Sequence, residues 1–267
     1  MTTIDTGTDT LRCDVDGGVA TITFNRPEKH NALSQEMQGA MPPLAQRLAN
    51  DPDVRVVVMT GAGDRAFVSG ADISEFGEQR TEAEARAAYD LRSTAMFSAW
   101  REIPQPVIAM IRGYCIGGGL LTALQADLRI AADDAQFGVP AARLGLGYAP
   151  SGVEALHRIV GPSWTAEILF SARRIDAATA LRIGLVNQVV PVDELHATVG
   201  DLTSAITANA PLTIAAVKGA LRELALSPME RDFERVAPLV EACFRSEDYL
   251  EGQLAFAEKR PPVFKGR

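Results

Sequence analysis

The run Pro106-Val107-Ile108-Ala109-Met110-Ile111-Arg112-Gly113-Tyr114-Cys115-Ile116-Gly117-Gly118-Gly119-Leu120-Leu121-Thr122-Ala123-Leu124-Gln125-Ala126-Asp127-Leu128-Arg129-Ile130-Ala131 decides the fold class. Pro106–Ile111 is apolar and partly β-branched, the pattern of a buried strand. Gly117-Gly118-Gly119 opens a helical run, Leu120–Ala126, and a second strand follows at Leu128–Ala131. Upstream, Val54–Thr60 is another buried strand, Gly61–Ala71 a glycine- and serine-containing loop, and Thr81–Glu102 a long amphipathic helix. Strand and helix in alternation argue for an α/β fold with largely parallel pairing.

Outward from this centre the pattern changes. Leu11–Val15 and Gly18–Phe24 read as a hairpin around Asp16-Gly17-Gly18. Ser34 reads as the N-cap of a helix to about Ala49, with Pro42-Pro43 bending or splitting it. From about Asp176 the chain reads as almost wholly helical: Ala177–Ile183, Val192–Asn209, Pro211–Leu226, Met229–Phe244 and Ser246–Glu258. No linker rich in Gly, Ser or Pro separates this tail. The expected organisation is therefore a core over 1–200 with a packed helical subdomain over 201–267. The broad apolar faces of the tail helices point to burial against a neighbouring subunit.

The 267 residues carry a formal net charge of -8 and no Lys/Arg run, which gives no support for a nucleic-acid partner. The polar Met1–Thr10 lacks the apolar stretch of a signal peptide, and no run reaches the length of a membrane span. Cys13, Cys115 and Cys243 are few and widely spaced, so reduced thiols and a cytoplasmic location are expected. His30, His157 and His196 lack metal-ligand spacing, and no metal is expected.

Two glycine loops are candidates for chemistry. Gly61-Ala62-Gly63-Asp64-Arg65-Ala66 matches a loose dinucleotide fingerprint. It runs on into Phe67-Val68-Ser69-Gly70 instead of opening a helix, which argues against a dinucleotide site. Ser69-Gly70-Ala71-Asp72-Ile73 and Gly117-Gly118-Gly119 each follow a buried strand. Backbone without side chains lets two amides approach one ligand oxygen, and a helix N-terminus favours negative charge there. The alternative is that these glycines only permit tight turns.

Together the segments resemble the crotonase (enoyl-CoA hydratase/isomerase) family. Asn25-Arg26-Pro27-Glu28-Lys29-His30-Asn31-Ala32-Leu33 is similar to its N-R-P-x-x-x-N-A-L segment. Ala66–Ile73 resembles A-F-x-x-G-A-D-I, Gly113–Gly119 resembles G-x-x-x-G-G-G, and Gln136–Pro140 contains F-G-x-P. Glu258–Lys265 resembles the C-terminal E-K-R-x-x-x-F-K. The resemblance implies a spiral of ββα repeats with a C-terminal helical trimerisation subdomain, assembled as a homotrimer or a dimer of trimers. It implies an acyl-CoA thioester as substrate in fatty acid metabolism, with coenzyme A carried by the substrate and no separate cofactor.

The family's oxyanion amides fall on Ala71 and Gly118, and its adenine and phosphate contacts on Lys29, His30, Ser69, Asp72 and Ile73, with Phe264 and Lys265 often reaching across from a neighbouring subunit. The side chain of Asp72 is expected to support the loop or the CoA end. The two carboxylates of enoyl-CoA hydratases fall on Leu121 and Ala141, which exchange no proton. With Leu144 these residues suggest an apolar acyl pocket. Tyr148 is a candidate hydroxyl donor. Glu154, on an expected helix Ser151–Ile159, is a candidate carboxylate, and Glu75 and Glu78 are candidates for the cleft mouth. Tyr114 and Cys115 are expected to pack, and Asp127 to cap. Three functions compete: a hydratase/isomerase-type enzyme, a non-catalytic acyl-CoA binder, and other chemistry such as thioester hydrolysis.

Overall fold

The computed structural model describes residues 1–72 and 83–267. Ile73, Glu75, Glu78 and the expected helix start at Thr81 lie outside the described residues. The strands are β1 (Thr2–Ile4), β2 (Leu11–Asp16), β3 (Val19–Phe24), β4 (Val56–Gly61), β5 (Ala66–Val68), β6 (Val107–Ile111), β7 (Tyr114–Ile116), β8 (Leu128–Ala132), β9 (Gln136–Gly138), β10 (Ile175–Asp176) and β11 (Gln188–Val190). The helices are α1 (Gln35–Ala49), α2 (Ala83–Glu102), α3 (Gly118–Leu124), α4 (Pro150–Ser171), α5 (Ala177–Arg182), α6 (Leu195–Thr207), α7 (Pro211–Leu224), α8 (Ala237–Arg245) and α9 (Glu247–Glu258).

Two sheets form. The larger has the order β1-β2-β3-β4-β6-β8-β11, parallel from β3 onward, and the smaller has β10-β9-β7-β5. Each repeat places its first strand in the large sheet and its second in the small one: β4 then β5, β6 then β7, β8 then β9. This is the spiral of ββα units that the family resemblance implies. The corner between β6 and β7 is Gly113, at φ +63°, where a Cβ would lie 2.1 Å from the Arg65 carbonyl oxygen. Only a residue without a side chain lets the chain turn that close to the layer before it.

The continuous apolar runs of β4 and β6 are explained by burial on both faces. One side of the large sheet looks into the spiral, where Val57, Met59, Val107, Ala109 and Ile111 meet Phe67, Cys115 and Phe137. The other side, with Val56, Val58, Ile108 and Met110, is covered by Leu195 and Val199 of α6. All three cysteines are free, and burial pushes the Cys13 thiol up to about 12. No described helix is long and apolar enough to cross a membrane.

Several local expectations are corrected. The Gly61–Ala71 loop contains β5, and Tyr114–Ile116 is a strand that pairs with β5 and β9. The tail is not wholly helical after Asp176, because Gln188–Val190 adds a parallel strand beside β8. The expected helix Met229–Phe244 begins only at Ala237, after a short 3-10 turn at Phe233–Arg235, since Pro238 suits a first helical turn. The prolines at 42 and 43 do not split α1, whose buried face of Met37, Met41, Leu44 and Leu48 holds it through them. Its N-cap is Ser34, whose hydroxyl accepts the Met37 N–H.

An ion pair between a buried lysine and a partly exposed aspartate ties the tail to the core. Lys218 on α7 places its ammonium 2.8 Å from Asp127 Oδ2 and 2.8 Å from the Gln105 carbonyl. The same Asp127 oxygen accepts the Val107 N–H at 2.7 Å, so it caps the start of β6 as expected. Arg222, one turn on, donates to the Glu102 carbonyl. Removing one partner of such a pair strands the other, and the partial exposure of Asp127 softens the loss. Lys218→Met should therefore cost about 2–3 kcal/mol and lower the melting temperature by about 5–10 °C. A thermal melt showing no shift would mean that α7 is held by packing alone.

Candidate functional site

The two glycine loops meet. The Leu33 N–H donates to the Gly70 carbonyl at 2.8 Å, and the Leu33 carbonyl accepts the Asp72 N–H at 2.9 Å. These bonds pin one edge of the segment and leave the Ala71 N–H on the other edge. Gly118 is the first residue of α3, where an N–H has no acceptor within the helix. A Cβ on Gly118 would lie 3.5 Å from the Ala71 nitrogen. Neither amide has an acceptor among the described residues. Each follows a glycine of positive φ, Gly70 at +123° and Gly117 at +54°, which turns the backbone so that the next N–H faces outward.

The structure separates the roles of the three glycines. Gly117 is required by its φ. Gly119 is required by space, because its Cβ would lie 2.0 Å from the Val68 carbonyl oxygen. Gly118 is required by neither: its φ is ordinary, and a Cβ would make contacts of 3.4–3.7 Å. The fold needs two of the three, and the third leaves open the space between the two amides.

The segments on either side of β5 are cross-braced. Asp72, 6% exposed, accepts from Arg26 at 2.8 Å and from Lys29 at 3.1 Å. Asn31 donates to the Ala62 and Ala66 carbonyls and accepts the Arg26 N–H. The Asp72 carboxylate thus supports the loop that carries Ala71. The Ser69 N–H donates to the His30 carbonyl, so Lys29, His30 and Ser69 share one surface. His30 meets Tyr114 edge-on, and Arg174 stacks over the same ring 4.8 Å from its centroid. Cys115 is fully buried.

On the other side the surroundings are apolar. Leu121, Ala141 and Tyr148 are half-buried and pack against one cluster. A Cβ on Gly152 would lie 3.0 Å from a Tyr148 ring carbon and 3.4 Å from Leu121 Cδ1, so that glycine makes room for both. Burial raises the Tyr148 phenol, with Tyr89 close by adding to the shift. The phenol is therefore a neutral donor and no base. Glu154 is exposed, two residues and about 200° around α4 from Gly152. Leu144 ends the 3-10 turn Ala141–Leu144 and is half exposed. Phe264 and Lys265 lie on the C-terminal tail beside α9. Tyr89 and Gly152 carry no motif that sequence reading could have found, whereas Arg26 and Asn31 stand inside a quoted motif with their bracing role unseen.

The enoyl-CoA hydratase/isomerase family model matches residues 14–267, and this chain belongs to that family. A short-chain-enoyl-CoA hydratase of Clostridium acetobutylicum is 36% identical over 245 residues, 92% of this chain and 93% of that protein. A carnitinyl-CoA dehydratase of Escherichia coli O157:H7 is 36% identical over 264 residues, 97% of this chain and 99% of that protein. The crystal structure of an enoyl-CoA hydratase/carnithine racemase from Magnetospirillum magneticum superposes with a TM-score of 0.91 at 36% identity, covering 97% of each chain.

Alanine at Gly118 and at Gly119 distinguishes their roles. Gly118→Ala should melt within about 3 °C of the parent, since its methyl meets only ordinary contacts. Gly119→Ala should lose about 4 kcal/mol or more, or fail to fold, because the clash is with backbone. Equal melting temperatures for the two variants would refute this division.

Proposed function

We propose that the chain binds an acyl-CoA thioester with its carbonyl oxygen between the Ala71 and Gly118 amides. The observation that carries this is the pair of unpartnered N–H groups, each aimed by a positive-φ glycine, with a Gly118 that the fold does not itself require. Charge growing on a carbonyl oxygen as an enolate forms would be stabilised there, with each donor worth about 10²–10³ in rate. Lys29, His30, Ser69, Asp72 and Ile73, with Phe264 and Lys265, are assigned to the CoA moiety. For Asp72 the assignment rests on its backbone, because its carboxylate is engaged by Arg26 and Lys29.

The activity assigned is of the enoyl-CoA hydratase/isomerase type, with a weak hydration step. By the family resemblance, Leu121 and Ala141 fall where its hydratases carry carboxylates, and Tyr148, held neutral, lies beside Leu121. Glu154 faces solvent. That apolar surround also favours a second reading, a non-catalytic acyl-CoA binder. A spectrophotometric screen of 2-enoyl- and 3-enoyl-CoA esters across chain lengths decides between them. Turnover supports the enzyme; calorimetric binding without turnover supports the binder; no binding at all sinks both. In the Leu121→Glu, Ala141→Glu double variant, hydration of a 2-enoyl-CoA should rise by about 10²-fold or more. No gain in a folded variant would show that these positions do not face the reacting carbons.

A homotrimer, alone or paired, is the assembly assigned. The tail helices leave a groove of about 750 Å³ lined by Val217, Val240, Phe244, Tyr249, Phe256 and Phe264 among others. Phe256 is 87% exposed and Phe244 59%. An apolar face of this kind marks a protein partner surface, and a second copy is the partner supplied by every molecule in solution. Phe256→Asp should shift the mass measured by light scattering toward the monomer. An unchanged trimer mass would place the interface elsewhere.

A further inference from the structure

The last residues of the chain have no secondary structure, yet their backbone is tightly held. After Lys259, which caps α9 in the left-handed conformation, the tail folds back along that helix. The Val263 N–H donates to Glu251 Oε1 at 2.8 Å. The Lys265 and Gly266 N–H groups donate to Asp248 Oδ1 and Oδ2 at 2.6 and 2.8 Å. Asp248 and Glu251 are three apart on α9, so both project from one face. The Arg267 carbonyl accepts the Glu247 N–H at the start of the helix. From the core, Arg55 donates to the Phe264 carbonyl at 3.1 Å.

Each carboxylate is matched to its task. Asp248 is buried and offers one oxygen to each of two adjacent amides. An asparagine there would turn one NH₂ donor toward an N–H, so one of the two bonds is lost. Glu251 takes a two-pronged contact from Arg260 at 2.6 and 2.9 Å in addition to the Val263 amide. Arg260 and Val263 hold its carboxyl down at about 2, so it stays ionised throughout the physiological range. This segment has neither helix nor strand to hold it, and ordering it costs conformational entropy. The clamp therefore calls for a purpose, and the two residues it fixes between its bonds are Phe264 and Lys265. The Phe264 ring rests against Gly252, and Lys265 is exposed.

We propose that Asp248 and Glu251 are positioning residues for coenzyme A, holding the tail at the subunit groove so that the Phe264 ring and the Lys265 ammonium meet the nucleotide end of an acyl-CoA bound by a neighbouring copy. This rests on the assignment of Phe264 and Lys265 under the proposed function. A flat apolar ring beside a cation suits an adenine linked to phosphates. The consequence is a specificity that the glycine loops cannot supply. The amides of Ala71 and Gly118 treat every thioester alike, whereas the clamp favours full CoA esters over pantetheine esters, which lack the nucleotide.

The test is calorimetric titration with saturated acyl-CoA esters from butanoyl to decanoyl, and with the matching S-acyl pantetheines. Asp248→Asn should weaken the CoA esters about tenfold or more and leave the pantetheine esters within about twofold. Its effect should shrink in a Lys265→Ala background, which removes one of the two groups that the clamp positions. Light scattering and melting curves accompany each variant. If Asp248→Asn unfolds, Glu251→Gln carries the same test at the more exposed end of the clamp, and loss of fold in both variants rejects the proposal. Equal weakening of both ester classes, or of neither, overturns it. A parent protein that binds none of the esters overturns the proposed function instead.

Discussion

The rest of the molecule depends on how closely successive turns of the spiral approach. Where α3 begins, the Gly119 backbone passes the end of β5 with no space for a single carbon atom beside the Val68 carbonyl. That contact sets the distance between the layer carrying Ala71 and the layer carrying Gly118. A side chain in between would force the two layers apart at a large cost in stability, and the two amides would no longer face one space. The close packing of β4, β6 and β8 supplies the rigidity, and side-chain-free backbone supplies the proximity.

The bracing around Asp72 serves the same end. A carboxylate directly after the Ala71 amide is held by two cations and by its own backbone bond to Leu33. A buried charge is tolerated because its Oδ2 is paired with both Arg26 and Lys29. The site is thus made from backbone groups whose positions are enforced by polar side chains that do not themselves reach into it.

Long apolar runs made much of this legible. Val54–Thr60 and Pro106–Ile111 announced buried parallel strands, because a strand covered on both faces shows no alternation. The strands β5, β7 and β9, of three residues each, were not legible, because three residues carry no period. The strand Gln188–Val190 was lost in a helical tail for the same reason. The open amides were the hardest element to see. A sequence records side chains, and it showed only that glycines were present, not which of them the fold itself needed. Tyr148, just before α4, and Gly152 on it meet Leu121 through tertiary packing against α3, which no spacing along the chain encodes.

The link between Lys218 and Asp127 bears on the order in which the chain assembles. The partners are 91 residues apart, and Lys218 also reaches back 113 residues to Gln105. Contacts over such separations close late, after local ones have formed. Asp127 can first cap β6 through the Val107 amide, which lies in the same repeat. The spiral can therefore close on itself during synthesis, while α7 and the clamped tail are still emerging. Docking of the last helices then completes a carboxylate that already has one partner. The groove between those helices, and any subunit contact built on it, would come into being only on a finished core.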